Sequence, residues 1–185
     1  MVEFLQEAHE DGILFDILVC EAAPSYQGLN MIDKLREKKM QATLIPDSNA
    51  FAIMSRVNKV IIGTQAIMAN GGLVTNSGAY MIALAAQAHS VPVFVVSAIT
   101  KLTPLYPFDH HTFNQLQSPQ LLNLTLDSRG KQNIDVVIPQ FDYVPPELVS
   151  LFVTNLGGQT PNYIYSLFSE FYNKDDLNGF SDDED

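Results

Sequence analysis

An α/β fold, with a doubly wound parallel sheet and helices on both faces, is predicted by three observations. Short continuous apolar runs recur at 16–20, 42–45, 60–62 and 92–96, the pattern of strands covered on both faces rather than one. Helical patterns fill two of the gaps between them, at 28–39 and 77–88. Strands alternating with helices at this spacing require right-handed crossovers, and so a parallel sheet.

Each element has its own justification. Residues 1–12 read as the end of a helix, with Phe4, Leu5 and Ala8 at helical spacing and Gly12 as the stop. A chain that opens on a helix tail is expected to follow a further N-terminal region. The first strand, Asp16-Ile17-Leu18-Val19-Cys20, ends before a turn at Pro24. In the helix 28–39, Leu29, Ile32 and Leu35 are expected inside and Asp33, Lys34, Arg36, Glu37 and Lys38 outside. The second strand, 42–45, is closed by Pro46, and Asp47 or Ser48 is placed to cap a short helix carrying Phe51 and Met54. Strand 60–62, an alanine-rich helix 77–88 and strand 92–96 complete a Rossmann-like succession. Between 101 and 133 periodicity fades and Pro104, Pro107 and Pro119 punctuate a long connection, of the length that usually carries function or faces a partner. Apolar order returns at 134–138 and 151–153, each short enough for a strand.

The last helix, 161–172, carries more apolar surface than one sheet needs. Ile164, Leu167, Phe168 and Phe171 form one stripe, widened by Tyr165 and Tyr172 on one side and Tyr163 on the other. The resulting arc spans roughly 200°. Tyr163, Tyr165, Phe168 and Tyr172 are therefore candidates for a subunit interface, against the plainer reading of tyrosines lying flat with their hydroxyls in water.

Composition bounds the function. With 185 residues, 46% of them hydrophobic, the chain can build one domain with a substantial core. The expected organisation is a helix end over 1–12, an α/β domain over 13–173 and an acidic disordered tail over 174–185. No apolar run approaches the roughly 20 residues of a membrane helix, and the acidic start MVEFLQEAHEDG does not resemble a secretory leader, so the cytosol is the expected compartment. A net charge of −11 opposes nucleic-acid binding and suits basic protein partners. The single cysteine, Cys20, permits no intrachain disulfide and reads as a buried strand thiol. Asp109-His110-His111 lacks a further ligand cluster and predicts no metal site. Ser181, followed by four acids, fits an acidophilic kinase site within an otherwise solvated tail.

The stretch KVIIGTQAIMANGGLVTNSGAY, residues 59–80, has the order of a ligand site: strand, glycine loop, helix start. Backbone N–H groups at such a helix start receive anions. Yet no Asp, Glu, His, Cys, Lys or Arg lies between Gly63 and Gly78, so the loop offers nothing that titrates. A dinucleotide fold is not indicated either, because no G-x-G-x-x-G follows the first strand.

Four segments together are specific: Cys20-Glu21-Ala22-Ala23-Pro24 with Gln27-Gly28; Ile45-Pro46-Asp47-Ser48; Ser55-Arg56-Val57-Asn58-Lys59-Val60-Ile61-Ile62-Gly63; and Phe141-Asp142-Tyr143-Val144-Pro145-Pro146-Glu147-Leu148. They resemble the family that unites the alpha, beta and delta subunits of eukaryotic translation initiation factor 2B with ribose-1,5-bisphosphate and methylthioribose-1-phosphate isomerases. The resemblance covers nearly the whole chain apart from its acidic tail. It implies that the isomerases' catalytic aspartate position holds Gln65 here, with Ala66 in place of the neighbouring arginine. Ala23 replaces a phosphate-binding arginine, and Thr75 and Asn76 stand where a lysine would precede the helix. Cys20 does not match the isomerases' cysteine. What the resemblance leaves is a vestigial pocket of Glu21, Gln27, Gly28, Asp47, Gly63, Gln65, Asn70 and Gly71, with no catalytic residue and no cofactor. It implies a structural and regulatory module whose partners are other subunits of the complex, delta above all, and initiation factor 2. The alternative from another class is a sugar-phosphate isomerase relative that retains only anion or nucleotide binding.

Overall fold

The computed structural model describes residues 1–106, 114–122 and 135–172. Two compact units divide the chain, one from 1–53 and 114–140, the other from 54–113 and 141–185. The acidic tail with Ser181, and the Asp109-His110-His111 segment, lie outside the described residues.

The first unit opens with α1 (Val2–Glu10), which ends before Gly12 at φ +80°, as its sequence predicts. Strands β1 (Ile17–Cys20) and β2 (Ala42–Ile45) pair in parallel, Ile17 opposite Ala42 and Cys20 opposite Ile45. Their connection is α2 (Gln27–Glu37), whose Leu35 is fully buried with Val19, Met40 and Ile45 also in the core. Two inward assignments fail: Leu29 is 45% exposed and Leu18 is 40% exposed. Gly28, one residue earlier, holds the buried position on that helix, because the helix approaches the Cys20 carbonyl so closely that any Cβ there would overlap it. After β2 the chain runs through a 3-10 turn (Asp47–Asn49) into α3 (Ala50–Ile53). The 3-10 turn has Pro46 at its N-cap with no side-chain cap, and the Asp47 carboxylate accepts from Ala22 and Ala23 instead. Phe51 is exposed. Residues 135–138 form no strand; Leu116 bridges Pro139 instead, and Gln117 N–H donates to the Ile138 carbonyl.

The second unit holds two sheets. In one, β3 (Val60–Gly63), β6 (Val93–Val96) and β8 (Leu151–Thr154) are parallel, and β9 (Gly157–Gln159) returns antiparallel along β8. In the other, β4 (Ala66–Ile67), β5 (Leu73–Asn76) and β7 (Phe141–Val144) are antiparallel, Leu73 opposite Val144 and Asn76 opposite Phe141. Strand β7 was not expected: its Phe-Asp-Tyr-Val is only partly covered and lacks the continuous apolar character of the parallel strands. Helix α4 (Ala79–Ala88) buries Ala83, Ala85 and Ala86, and these small side chains let it lie close to its neighbours. The main core joins Ile67, Leu73, Val95, Val144 and Phe152 to Ile164 and Phe168 of α5 (Pro161–Phe171). Fully burying side chains of this size contributes roughly 1.5–3 kcal/mol each. No helix among the described residues is long and apolar enough to cross a membrane.

Candidate functional site

The stretch that reads as a glycine loop is a β-hairpin. From β3 the chain enters β4, turns at 68–72 and returns as β5, so the backbone donors of the loop are largely spent on itself. Gln65 N–H donates to the Val74 carbonyl, Met68 N–H to Gly72 and Gly71 N–H to Met68. Buried Thr64 donates its hydroxyl to the Ala66 and Val74 carbonyls at 2.7 and 2.8 Å, and Thr75 Oγ1 donates to Gly63 at 2.9 Å. Lys101 Nζ donates to the Thr64 carbonyl at 2.5 Å.

The hairpin tip is packed by its glycines. A Cβ on Gly72 would overlap the Tyr143 ring, and one on Gly71, at φ +80°, would lie 2.9 Å from the Pro161 carbonyl oxygen. Asn70 ties the tip together. Its Nδ2 donates to Tyr143 Oη at 2.7 Å, and its Oδ1 accepts the Gly72 N–H at 3.0 Å. Burial raises the Tyr143 phenol above its ordinary value, the Asn70 hydrogen bond opposes that rise, and the Glu147 charge adds to it.

At the start of α4 the first-turn donors meet a carboxylate from another strand. Asp142, opposite Thr75 in the β5–β7 register, accepts the Gly78 N–H at 2.7 Å and the Tyr80 N–H at 3.1 Å through one oxygen. Gly78, the N-cap at φ +96°, has no side chain to offer, and the first turn carries no acid. Asp142 therefore fills the role that a local Ser, Thr or Asp fills in most helices. In the sequence, Phe141-Asp142-Tyr143-Val144 is recognisable as part of the family resemblance, but its pairing with β5 is not. The capless Gly78-Ala79-Tyr80 start was the available signal.

The first unit repeats this arrangement. Asp47 Oδ1 accepts the Ala22 N–H at 3.0 Å and Oδ2 the Ala23 N–H at 2.8 Å, spanning the turn between β1 and α2. Ala22 sits at φ 57°, and the Ala23–Pro24 bond is cis. Gly28 N–H donates to the Glu21 carbonyl, and Gln27 opens α2 beside it. The Cys20 thiol is pushed up to about 11 by burial first, then by the charges of Asp47 and Glu21. A thiol held protonated in this way is a poor nucleophile.

The predicted pocket residues thus fall into two sets. Glu21, Gln27, Gly28 and Asp47 gather around the β1–α2 turn of the first unit. In the second, Gly63 and Gln65 lie at the base of the hairpin opposite Thr75 and Val74, whereas Asn70 and Gly71 lie at its tip against Tyr143 and Pro161. The base and the tip serve different neighbours. Among the described residues no group of three or more His, Cys, Asp or Glu side chains could hold a metal ion.

The four aromatic candidates on α5 also divide. Tyr163 is 43% and Tyr165 61% exposed, but Phe168 is 3% exposed and belongs to the core. Tyr172 stacks on Phe168 with ring centroids 4.7 Å apart and donates its hydroxyl to the Leu102 carbonyl at 2.6 Å. The exposed part of the arc is Tyr163, Tyr165 and Phe171, the last 54% exposed.

Residues 1–161 match the model of the initiation factor 2 subunit family. The chain is 47% identical over 175 residues to translation initiation factor eIF2B subunit beta of Dictyostelium discoideum, covering 95% of this chain and 45% of that protein. It is 44% identical to the beta subunit of Schizosaccharomyces pombe, covering 88% of this chain and 42% of that one. It therefore spans less than half the length of these relatives. Among solved structures, 5-methylthioribose 1-phosphate isomerase of Pyrococcus horikoshii superposes with a TM-score of 0.77 at 24% identity, over 87% of this chain and 46% of the isomerase. That likeness establishes the Rossmann-like α/β fold.

Proposed function

Since this chain belongs to the initiation factor 2 subunit family, we propose that it is the C-terminal part of an eIF2B beta subunit, acting by assembly and docking rather than by catalysis. The observation that carries this reading is the 47% identity to a beta subunit across 95% of the chain, well above what an isomerase match of similar coverage gives. The proposed partners are the other subunits of the factor, delta foremost, and initiation factor 2. The proposed compartment is the cytosol. Guanine-nucleotide exchange would then be a property of the assembled complex, with the chemistry in another subunit.

The chemistry of these residues supports a module that does not turn over a substrate. The position that would hold the isomerase acid is Gln65, which does not titrate. The one thiol is held protonated at neutral pH. The glycines of the hairpin are occupied in packing. Exposed apolar surface supports assembly: Tyr80, Met81 and Leu84 on α4, and Tyr163, Tyr165 and Phe171 on α5, are each more than two-fifths exposed.

Co-expression of the chain with alpha, delta and the remaining subunits, followed by native mass spectrometry, tests the proposal. One copy of this chain paired with one delta-type subunit is the expected species. A chain that stays monomeric with every subunit, or that isomerises ribose 1,5-bisphosphate, overturns it.

A further inference from the structure

We infer that Asn70-Gly71 is a latent modification site, a pair able to close to a succinimide that the folded hairpin tip holds inert and that opening of the tip releases. The chemistry is intramolecular. The Gly71 backbone nitrogen attacks the Asn70 carboxamide carbon, the side-chain nitrogen leaves as ammonia with the proton that Gly71 gives up, and a five-membered imide joins the two residues. Water then opens either of its carbonyl–nitrogen bonds, which leaves aspartate or isoaspartate at position 70. Glycine as the second residue favours the attack, because no side chain obstructs its nitrogen.

The folded tip opposes each requirement of that step. The nucleophile is engaged, since Gly71 N–H donates to the Met68 carbonyl at 2.8 Å. The electrophile is held at both ends, with Nδ2 donating to Tyr143 Oη at 2.7 Å and Oδ1 accepting the Gly72 N–H at 3.0 Å. Rotating the carboxamide for attack breaks these contacts. The main chain has little room to follow, because a Cβ on Gly71 would lie 2.9 Å from the Pro161 carbonyl oxygen and one on Gly72 would overlap the Tyr143 ring. Tyr143 is itself fixed opposite Val74 in the β5–β7 register. Isoaspartate adds one carbon to the backbone of a hairpin whose strands are in register at Ala66–Val74 and Ile67–Leu73, so the product does not reclose the same tip. The modification is a one-way record of tip opening. It concerns the folded chain alone and does not depend on which subunits the chain joins.

Peptide mass spectrometry tests it, after incubation of the whole chain in mildly alkaline buffer made with heavy-oxygen water, which labels each newly hydrolysed succinimide. The native wild type is expected to acquire label at residue 70 more than about tenfold more slowly than the same chain unfolded in urea. Folded Tyr143→Phe is expected to label about 2–10-fold faster than the native wild type and at the wild-type rate in urea, because only the fold uses the phenol. Native labelling as fast as in urea, an unfolded chain that takes no label at residue 70, or a folded Tyr143→Phe no faster than the wild type each overturns the inference. Should Tyr143→Phe not fold, the comparison of native with unfolded wild type decides alone. Subunit association, read separately by co-expression, is unaffected by either result, so the two proposals fail independently.

Discussion

Asn70 and Tyr143 are 73 residues apart in sequence, yet Asn70 Nδ2 donates to Tyr143 Oη at 2.7 Å and so fixes the hairpin tip to the strand that covers it. Tyr143→Phe removes the acceptor and leaves a partly buried amide short of one partner. A loss of about 1 kcal/mol is expected, or roughly 2–4 °C in the melting temperature. Asn70→Ala should cost more, since it also strips the acceptor from the Gly72 N–H. Scanning calorimetry of the two variants and the double variant checks this; the double variant should fall short of additivity.

Gly72→Ala puts a methyl group into the Tyr143 ring. An overpacking cost of about 1–3 kcal/mol is expected by denaturant titration. Combining it with Tyr143→Ala should recover part of that loss, because the obstructing ring is gone.

Cys20 should react slowly. With its pKa raised from 9.0 to about 11, its thiolate population at neutral pH is lower by roughly 100-fold than for an unperturbed thiol. Iodoacetamide labelling of the native chain against pH is expected to rise towards a midpoint near 11, and in denaturant towards one near 9. The linkage has a definite sign: the folded state favours the protonated thiol, so this contribution to stability is complete below pH 9 and is lost as the pH rises through 11.

Two neighbours on α5 should separate stability from assembly. Phe168→Ala empties a core position and is expected to cost about 3–5 kcal/mol. Tyr165→Ala, at an exposed position, should change stability by less than about 0.5 kcal/mol. If the exposed arc of α5 is a subunit surface, Tyr165→Ala and Tyr163→Ala weaken co-purification with partner subunits while leaving the melt unchanged. Undiminished association in a folded double variant removes α5 from the interface.

The parallel strands were legible because burial on both faces writes itself as an uninterrupted apolar run; β1, β2, β3, β6 and β8 follow those runs to within about a residue at most ends. The antiparallel sheet was not, because Ala66 and Ile67 give too short a signal and β7 mixes Asp and Tyr into a half-covered strand. That omission turned a hairpin into a ligand loop. Gly71 and Gly72 carry no mark that distinguishes close packing from close approach to a phosphate. Asp47 was legible as a capping residue by composition, but its partners lie 24 and 25 residues away, beyond local pattern. On α5 the apolar stripe is legible in the sequence, but nothing local says that Tyr172 turns inward to Leu102.

The register of β5 with β7 also bears on the order of folding. Leu73 must wait for Val144, and Thr75 for Asp142, with a long excursion of chain between them. The β4–β5 hairpin and α4 are local and form on short loops, whereas closing the third strand has a larger entropic barrier and comes late. During synthesis α4 leaves the ribosome with its first-turn donors facing water, and they are satisfied only when residue 142 has been made. A nascent chain halted before β7 should therefore show a frayed α4, and extending it past Val144 should firm that helix in one step.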